Sequence, residues 1–301
     1  PDAVKSIGFE AFMGCSRLEA VIFNPSSQLA NISWEAFRDC VQLKEIIMPN
    51  SLKGLSYGTF QGCKELEKIT LPNQIEEIGY STFEDCSKLA EIFLPNVLTR
   101  IQPNAFSNCS LLKSVKIPDG VIEIGMNAFS GCSSLEKIKL PKGITSVKSD
   151  TFNGCEKLQS IEWSNFIECI ENRAFYECKA LNSLSFETLS GLKMIGREAF
   201  WNCSSLTEVV LPESVENIGV GAFQRCANLT TVKLPNRIQT IESNTFGYCE
   251  RLDKIEIPVE VTTIGEMAFY NCTALSEIVF SKGLKEIGSS SFEKCINSLS
   301  V

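Results

Sequence analysis

Cysteine is the residue whose number and spacing in this chain could do chemistry. Fourteen cysteines occur in 301 residues, enough for disulfides, thiolate metal ligands or nucleophilic thiols. Thirteen of them, Cys15, Cys40, Cys63, Cys86, Cys109, Cys132, Cys155, Cys178, Cys203, Cys226, Cys249, Cys272 and Cys295, follow one another at 23 residues, with two intervals of 25. Each comes three residues after a phenylalanine, from Phe12 to Phe292. An odd column of thiols cannot pair completely. No C-x-x-C occurs, and histidine is absent, so a zinc site would need four thiolates converging from separate places. Buried thiols are therefore favoured over disulfides or metal ligands. Cys169 stands outside the column and is expected near the surface, as an incidental cysteine or a reactive thiol.

The lack of histidine also removes the commonest general base near neutral pH. Glycoside hydrolysis needs two carboxylates about 5–9.5 Å apart, whereas the exposed Glu162 and Glu256 are four repeats, or roughly 19 Å, apart. Phosphate-binding and dinucleotide-binding glycine loops are missing. The expectation is a protein that is not an enzyme and takes neither a cofactor nor a metal. A net charge of −8 opposes long-range attraction to nucleic acid or anionic lipid. No apolar run approaches the ~20 residues of a spanning helix. Neither nucleic acid nor membrane insertion is expected.

The elements that position these residues are read from the repeat. One copy runs Ile78-Gly79-Tyr80-Ser81-Thr82-Phe83-Glu84-Asp85-Cys86-Ser87-Lys88-Leu89-Ala90-Glu91-Ile92-Phe93-Leu94-Pro95, and the pattern I-G-x-x-A/T-F-x-x-C-x-x-L-x-x-I-x-L-P recurs throughout. The period-two spacing at Ile92 and Leu94 marks a short strand with alternate residues inward, ended by a proline that cannot donate to a ladder. Gly79 to Cys86 is too short for a stable helix and is predicted to make one tight helical turn. The glycine after the isoleucine becomes Ser33, Ser56, Gln102, Lys148, Glu171 or Glu242 elsewhere, so the backbone there does not demand a positive φ. The two longer copies carry their extra residues between the strand and the next isoleucine, which marks a surface loop.

A turn of this size cannot bury its own apolar positions, but stacked turns build one core of Phe, Cys, Leu and Ile columns. Adjacent thiols would then have Cα atoms about 4.8 Å apart, yet parallel Cβ vectors hold the Cβ atoms beyond ordinary disulfide range. Residues 1–301 are expected to form a single repeat domain. Both ends resemble interrupted copies, with the chain stopping on a strand over Leu299 to Val301, so a longer natural chain is expected.

With its F-x-x-C and L-x-x-I-x-L-P segments, the pattern resembles the BspA-type leucine-rich repeats over essentially the whole chain. The resemblance implies an α/β solenoid: a right-handed leucine-rich-repeat superhelix, with a parallel β-sheet on its concave face and about 13 repeats of 23 residues. It also implies a secreted or cell-surface location, and adhesion or host-protein binding as the usual role. The motif specifies a scaffold, so no ligand residue carries over from it.

Function in such a scaffold belongs to exposed strand residues. One column contains Ile22, Ile47, Thr70 and Phe93, with Lys116, Lys137 and Lys139 on the next two turns. An apolar patch edged by charge fits a protein-binding surface. The competing reading is that β-branched and aromatic residues suit any strand. The favoured function is a non-catalytic recognition or adhesion module. Its partner would be a protein ligand, such as a host extracellular or surface protein, with a glycan less favoured. The alternative is a structural spacer carrying another domain at the cell surface.

Overall fold

Most of the described repeats contribute two short extended segments joined by a run of tight turns, and these segments pair in parallel with those of neighbouring repeats. The structure, a computed structural model, describes residues 3–24, 26–184, 186 and 189–295. The final strand expected over Leu299 to Val301 lies outside the described residues. The chain forms a parallel β-solenoid of about 12 turns. It divides into two compact units, residues 1–144 and 145–301.

In the first unit the L-x-x-I-x-L segments form a four-stranded parallel ladder over Ala20–Ile22, Glu45–Ile47, Lys68–Thr70 and Glu91–Phe93. The register joins equivalent residues: Val21 to Ile46, Ile46 to Ile69, and Ile69 to Ile92. The middle residue points inward and its neighbours outward, as period-two alternation requires. In the second unit Glu208–Val210 pairs with Thr231–Lys233, and Lys254–Glu256 with Glu277–Val279.

Sequence reading did not anticipate a second ladder. Two-residue strands run through the I-x-x-I segment: Glu77–Ile78 pairs with Arg100–Ile101, which pairs with Glu123–Ile124. In the second unit Ser146–Val147, Cys169–Ile170, Met194–Ile195 and Asn217–Ile218 do the same. Two residues are too few for period-two alternation to show in the sequence.

The expected helical turn is corrected. No helix occurs among the described residues, so the α component of the expected α/β class is not found. In the copy from Gly79 to Cys86 the backbone alternates between two partners. Ser81, Phe83 and Asp85 donate to Pro103, Ala105 and Ser107 of the next turn at 2.8–3.1 Å. Thr82, Glu84 and Cys86 donate to the carbonyls three residues earlier at 3.1–3.3 Å. Ser81 and Asp85 have left-handed φ values of 50° and 61°, and a left-handed residue every fourth position breaks any helix. Equivalent positions behave alike, including Asn104 and Asn108, Asn127 and Gly131, and Asn244 and Tyr248. Asn, Asp and Gly, which tolerate this conformation best, fill many of them.

The core is a set of columns. In the first unit Phe12, Phe37, Phe60, Phe83, Phe106 and Phe129 stack with ring centroids 5.0–5.7 Å apart. In the second, Phe152, Phe175, Phe200, Phe223, Phe246, Phe269 and Phe292 stack at 5.2–5.7 Å. From Ala36 to Ala268 the A/T position before the phenylalanine is buried, so a threonine there must satisfy its hydroxyl. Thr59 and Thr82 donate to the carbonyls of Ser56 and Gly79 at 2.8 Å.

The glycine after the isoleucine has no positive φ in any of its copies; its requirement is space. A Cβ on Gly219 would meet the Arg197 nitrogen at 2.5 Å, and one on Gly265 the Ser243 nitrogen at 2.5 Å. Close approach of successive backbones selects the smallest residue at these copies.

Candidate functional site

The sulfur column is structural. Cys40, Cys63, Cys86, Cys109 and Cys132 are fully buried, and each thiol donates to the carbonyl of the phenylalanine one turn earlier at 3.1–3.2 Å. In the second unit Cys178, Cys203, Cys226, Cys249 and Cys272 do so at 3.2–3.3 Å. Every cysteine is a free thiol. Burial pushes the Cys40 thiol up to about 11 and the Cys226 thiol up to about 12, which withholds the nucleophilic thiolate near neutral pH. Cys169 lies half-buried in the short strand Cys169–Ile170, where burial, with the charge of Glu171 second, also raises its pKa. Among the described residues no three His, Cys, Asp or Glu side chains converge as a metal site.

The outward residues of the first strand ladder are brought together as a column. Ile22 sits in register with Ile47, Ile47 with Thr70, and Thr70 with Phe93. Ile22 is 86% exposed, Ile47 55% and Phe93 63%. Nothing in their own fold needs these side chains, since Ile46, Ile69 and Ile92 supply the core from the same strands. Beside them runs the column of Glu45, Lys68 and Glu91.

The lysines are placed less regularly. Lys137 and Lys139 occupy the outward positions of the strand Lys137–Lys139. Lys116 is exposed but belongs to no strand, because the ladder ends after Glu91–Phe93. The interturn bonds at this position lengthen toward it, from 3.0 and 3.1 Å at the Lys44 and Glu67 nitrogens to 3.4 Å at Ala90 and 3.5 Å at Lys113. None of Lys116, Lys137 and Lys139 forms an ion pair among the described residues, so their charge stays available. Lys254 and Glu277 are 2.6 Å apart in the second unit; both are exposed, so the pair contributes little stability.

Another exposed column was missed. The residue after the I-G step is Phe9, Trp34, Tyr57 and Tyr80 in four consecutive turns, exposed by 59, 61, 41 and 50%. The signal was present in the repeat alignment, at a position whose copies vary too much in type to enter the motif.

The chain matches the model of the BspA type leucine rich repeat region over residues 1–113, 99–209 and 193–301. Among solved structures it is similar to a leucine-rich repeat protein from Bacteroides ovatus, at 28% identity over 90% of this chain and 81% of that one, with a TM-score of 0.72. It is also similar to a leucine rich cell surface protein from Faecalibacterium prausnitzii, at 28% identity over 98% and 75%, with a TM-score of 0.56. No curated protein matches it. The matches span the stacked phenylalanine and cysteine columns, and the chain belongs to the BspA-type leucine-rich-repeat family.

Proposed function

We propose that the chain is a non-catalytic recognition module, secreted or at a cell surface, that binds a protein ligand through the outward face of its first strand ladder. The observation that carries this reading is the in-register column of exposed Ile22, Ile47, Thr70 and Phe93. Ile22, Ile47 and Phe93 offer apolar area that a partner can desolvate, and an aromatic anchor is the kind of residue on which binding energy concentrates. Lys116, Lys137 and Lys139 flank this patch as free cations and would steer an acidic partner. The cell-surface relative from Faecalibacterium prausnitzii supports the location. The 301 residues act as one repeat domain. A protein is favoured over a glycan because the column is aliphatic at two of its four positions.

The test is a binding screen of the purified chain against immobilised extracellular-matrix proteins, repeated with the Phe93→Ser/Ile47→Ser double variant. Since both residues are exposed, the variant keeps the native circular dichroism spectrum. Its affinity for any protein captured by the parent is expected to fall about tenfold or more. Unchanged affinity would remove this face as the site.

A further inference from the structure

The exposed face of the first strand ladder is complementary to itself. We propose that the protein partner of this face is a second copy of the chain, an inference that rests on the recognition reading and names its partner. The two copies lie face to face about a two-fold axis that runs parallel to the strands, between Glu45–Ile47 and Lys68–Thr70.

Charge and register carry it. Beside Ile22, Ile47, Thr70 and Phe93 the outward positions read Ala20, Glu45, Lys68 and Glu91, aligned by the ladder. All four are exposed, and among the described residues Glu45, Lys68 and Glu91 form no ion pair within the chain. An axis along the strands reverses the order of the turns and keeps each column facing itself. It therefore sets Glu45 against the partner's Lys68 and Lys68 against the partner's Glu45. The same operation lays Ile22 on the partner's Phe93 and Ile47 on the partner's Thr70, so the apolar side chains meet uncharged ones. Glu91 falls opposite the partner's Ala20, a small rim residue that leaves the carboxylate open to water.

The neighbouring column repeats the alternation. Glu19, Lys44, Glu67 and Ala90 are exposed and are held one turn apart by bonds from the Lys44, Glu67 and Ala90 nitrogens at 3.0–3.4 Å. Reversal about the same axis sets Lys44 opposite the partner's Glu67 and Glu67 opposite the partner's Lys44. Other placements fail. A shift of half a turn opposes Glu45 to Glu45 or Lys68 to Lys68, and a shift of one turn toward Phe93 lays Ile47 on the partner's Lys116. An axis along the stack of turns does not join apolar to apolar and opposite charge to opposite charge at once.

The face is flat enough to be covered. Phe12, Phe37, Phe60 and Phe83, in the same four turns, stack with ring planes only 3–8° apart, so successive turns are nearly translated copies. Repulsion between copies is small here, because residues 1–144 hold 14 Lys and Arg against 16 Asp and Glu, a net −2 of the chain's −8. Four turns at about 4.8 Å give a contact of roughly 500 Å² per copy, below the ~800 Å² of a stable complex, so the dimer is weak and reversible.

Sedimentation velocity of the 301-residue chain in reductant, from about 1 to about 500 µM, tests the pairing. The parent is expected to show a reversible monomer–dimer equilibrium. Glu45→Lys and Lys68→Glu should each weaken it at least about tenfold, since each sets like charges against each other twice. Mixing these two variants should restore dimers, as should the double exchange Glu45→Lys/Lys68→Glu in one chain, because opposite charges again meet. Glu256→Lys, an equal charge change on the strand Lys254–Glu256, should leave association unchanged. A parent monomeric throughout, insensitivity to either exchange, no restoration in the mixture, or equal weakening by Glu256→Lys would each overturn the proposal. In that event, capture of an extracellular-matrix protein that is lost with Phe93→Ser/Ile47→Ser keeps the recognition face and removes only the second copy; absence of such capture removes both.

Discussion

Replacing Phe60 by alanine tests how the stacked columns share their stability. Phe60 is fully buried, with the Phe37 and Phe83 rings on either side at 5.6 and 5.7 Å. Truncating a buried phenylalanine costs about 3–5 kcal/mol, part of which here is the loss of two ring pairs worth about 0.5–1.5 kcal/mol each. The backbone is not the source of that cost, because the Phe60 carbonyl survives to accept from the Cys63 nitrogen and the Cys86 thiol. In a stacked array each turn touches only its neighbours, so the damage should stay local. Amide hydrogen exchange followed by mass spectrometry reads this directly. Exchange in the turns of Phe37, Phe60 and Phe83 should speed up by about two to three orders of magnitude, and in the turn of Phe129 by much less. A uniform acceleration across all turns, or a local change below about tenfold, would refute the reasoning.

Two further substitutions and a pH series follow from the same packing. Gly219→Ala should destabilise by about 1–3 kcal/mol in urea unfolding, because its Cβ would lie 2.5 Å from the Arg197 nitrogen although φ there permits alanine. Gly54→Ala, with nothing within 4 Å of the added carbon, should be neutral or stabilising by up to about 1 kcal/mol. Burial raises the Cys226 thiol from an ordinary 9.0 to about 12. A raised folded pKa means stability is complete below the unfolded value and is lost as pH climbs from about 9 toward 12, by roughly 1.4 kcal/mol per pH unit for each thiol. Urea midpoints should fall between pH 9 and 11, and Cys226→Ala should make that fall shallower by one proton's worth; an unchanged slope would count against the buried thiol.

The repeat was legible because each core column keeps one residue type: Phe at every copy from Phe12 to Phe292, and sulfur three residues later. Inward alternation at Ile69 and Ile92 could be read for the same reason. Where the sequence misled, backbone conformation was at issue. Ser81, Asp85, Arg173 and Met267 all hold a left-handed φ, and side chains so different give no single composition signal. Hence a run of interturn hydrogen bonds looks, in the sequence, like a helical turn. The two-residue ladder was missed because its stability comes from stacking with neighbours, which no single copy displays. The candidate face was partly legible: Ile22, Ile47, Thr70 and Phe93 fall in one register, while the break in the ladder before Lys116 has no marker in the motif. The aromatic column was hidden by its own variety, Phe, Trp and Tyr at one position.

The central claim, that sulfur lines a shared interior spine, is tested most directly by counting reactive thiols with an aromatic disulfide reagent at pH 8, with alkylation sites located by mass spectrometry. Fourteen thiols should react in denaturant, and in the native chain only Cys15, Cys169 and Cys295 should react, half-buried Cys169 more slowly for its raised pKa, since the other eleven are buried. Rapid native labelling of Cys63, Cys109 or Cys226, or fewer than fourteen thiols after unfolding without reductant, would contradict it.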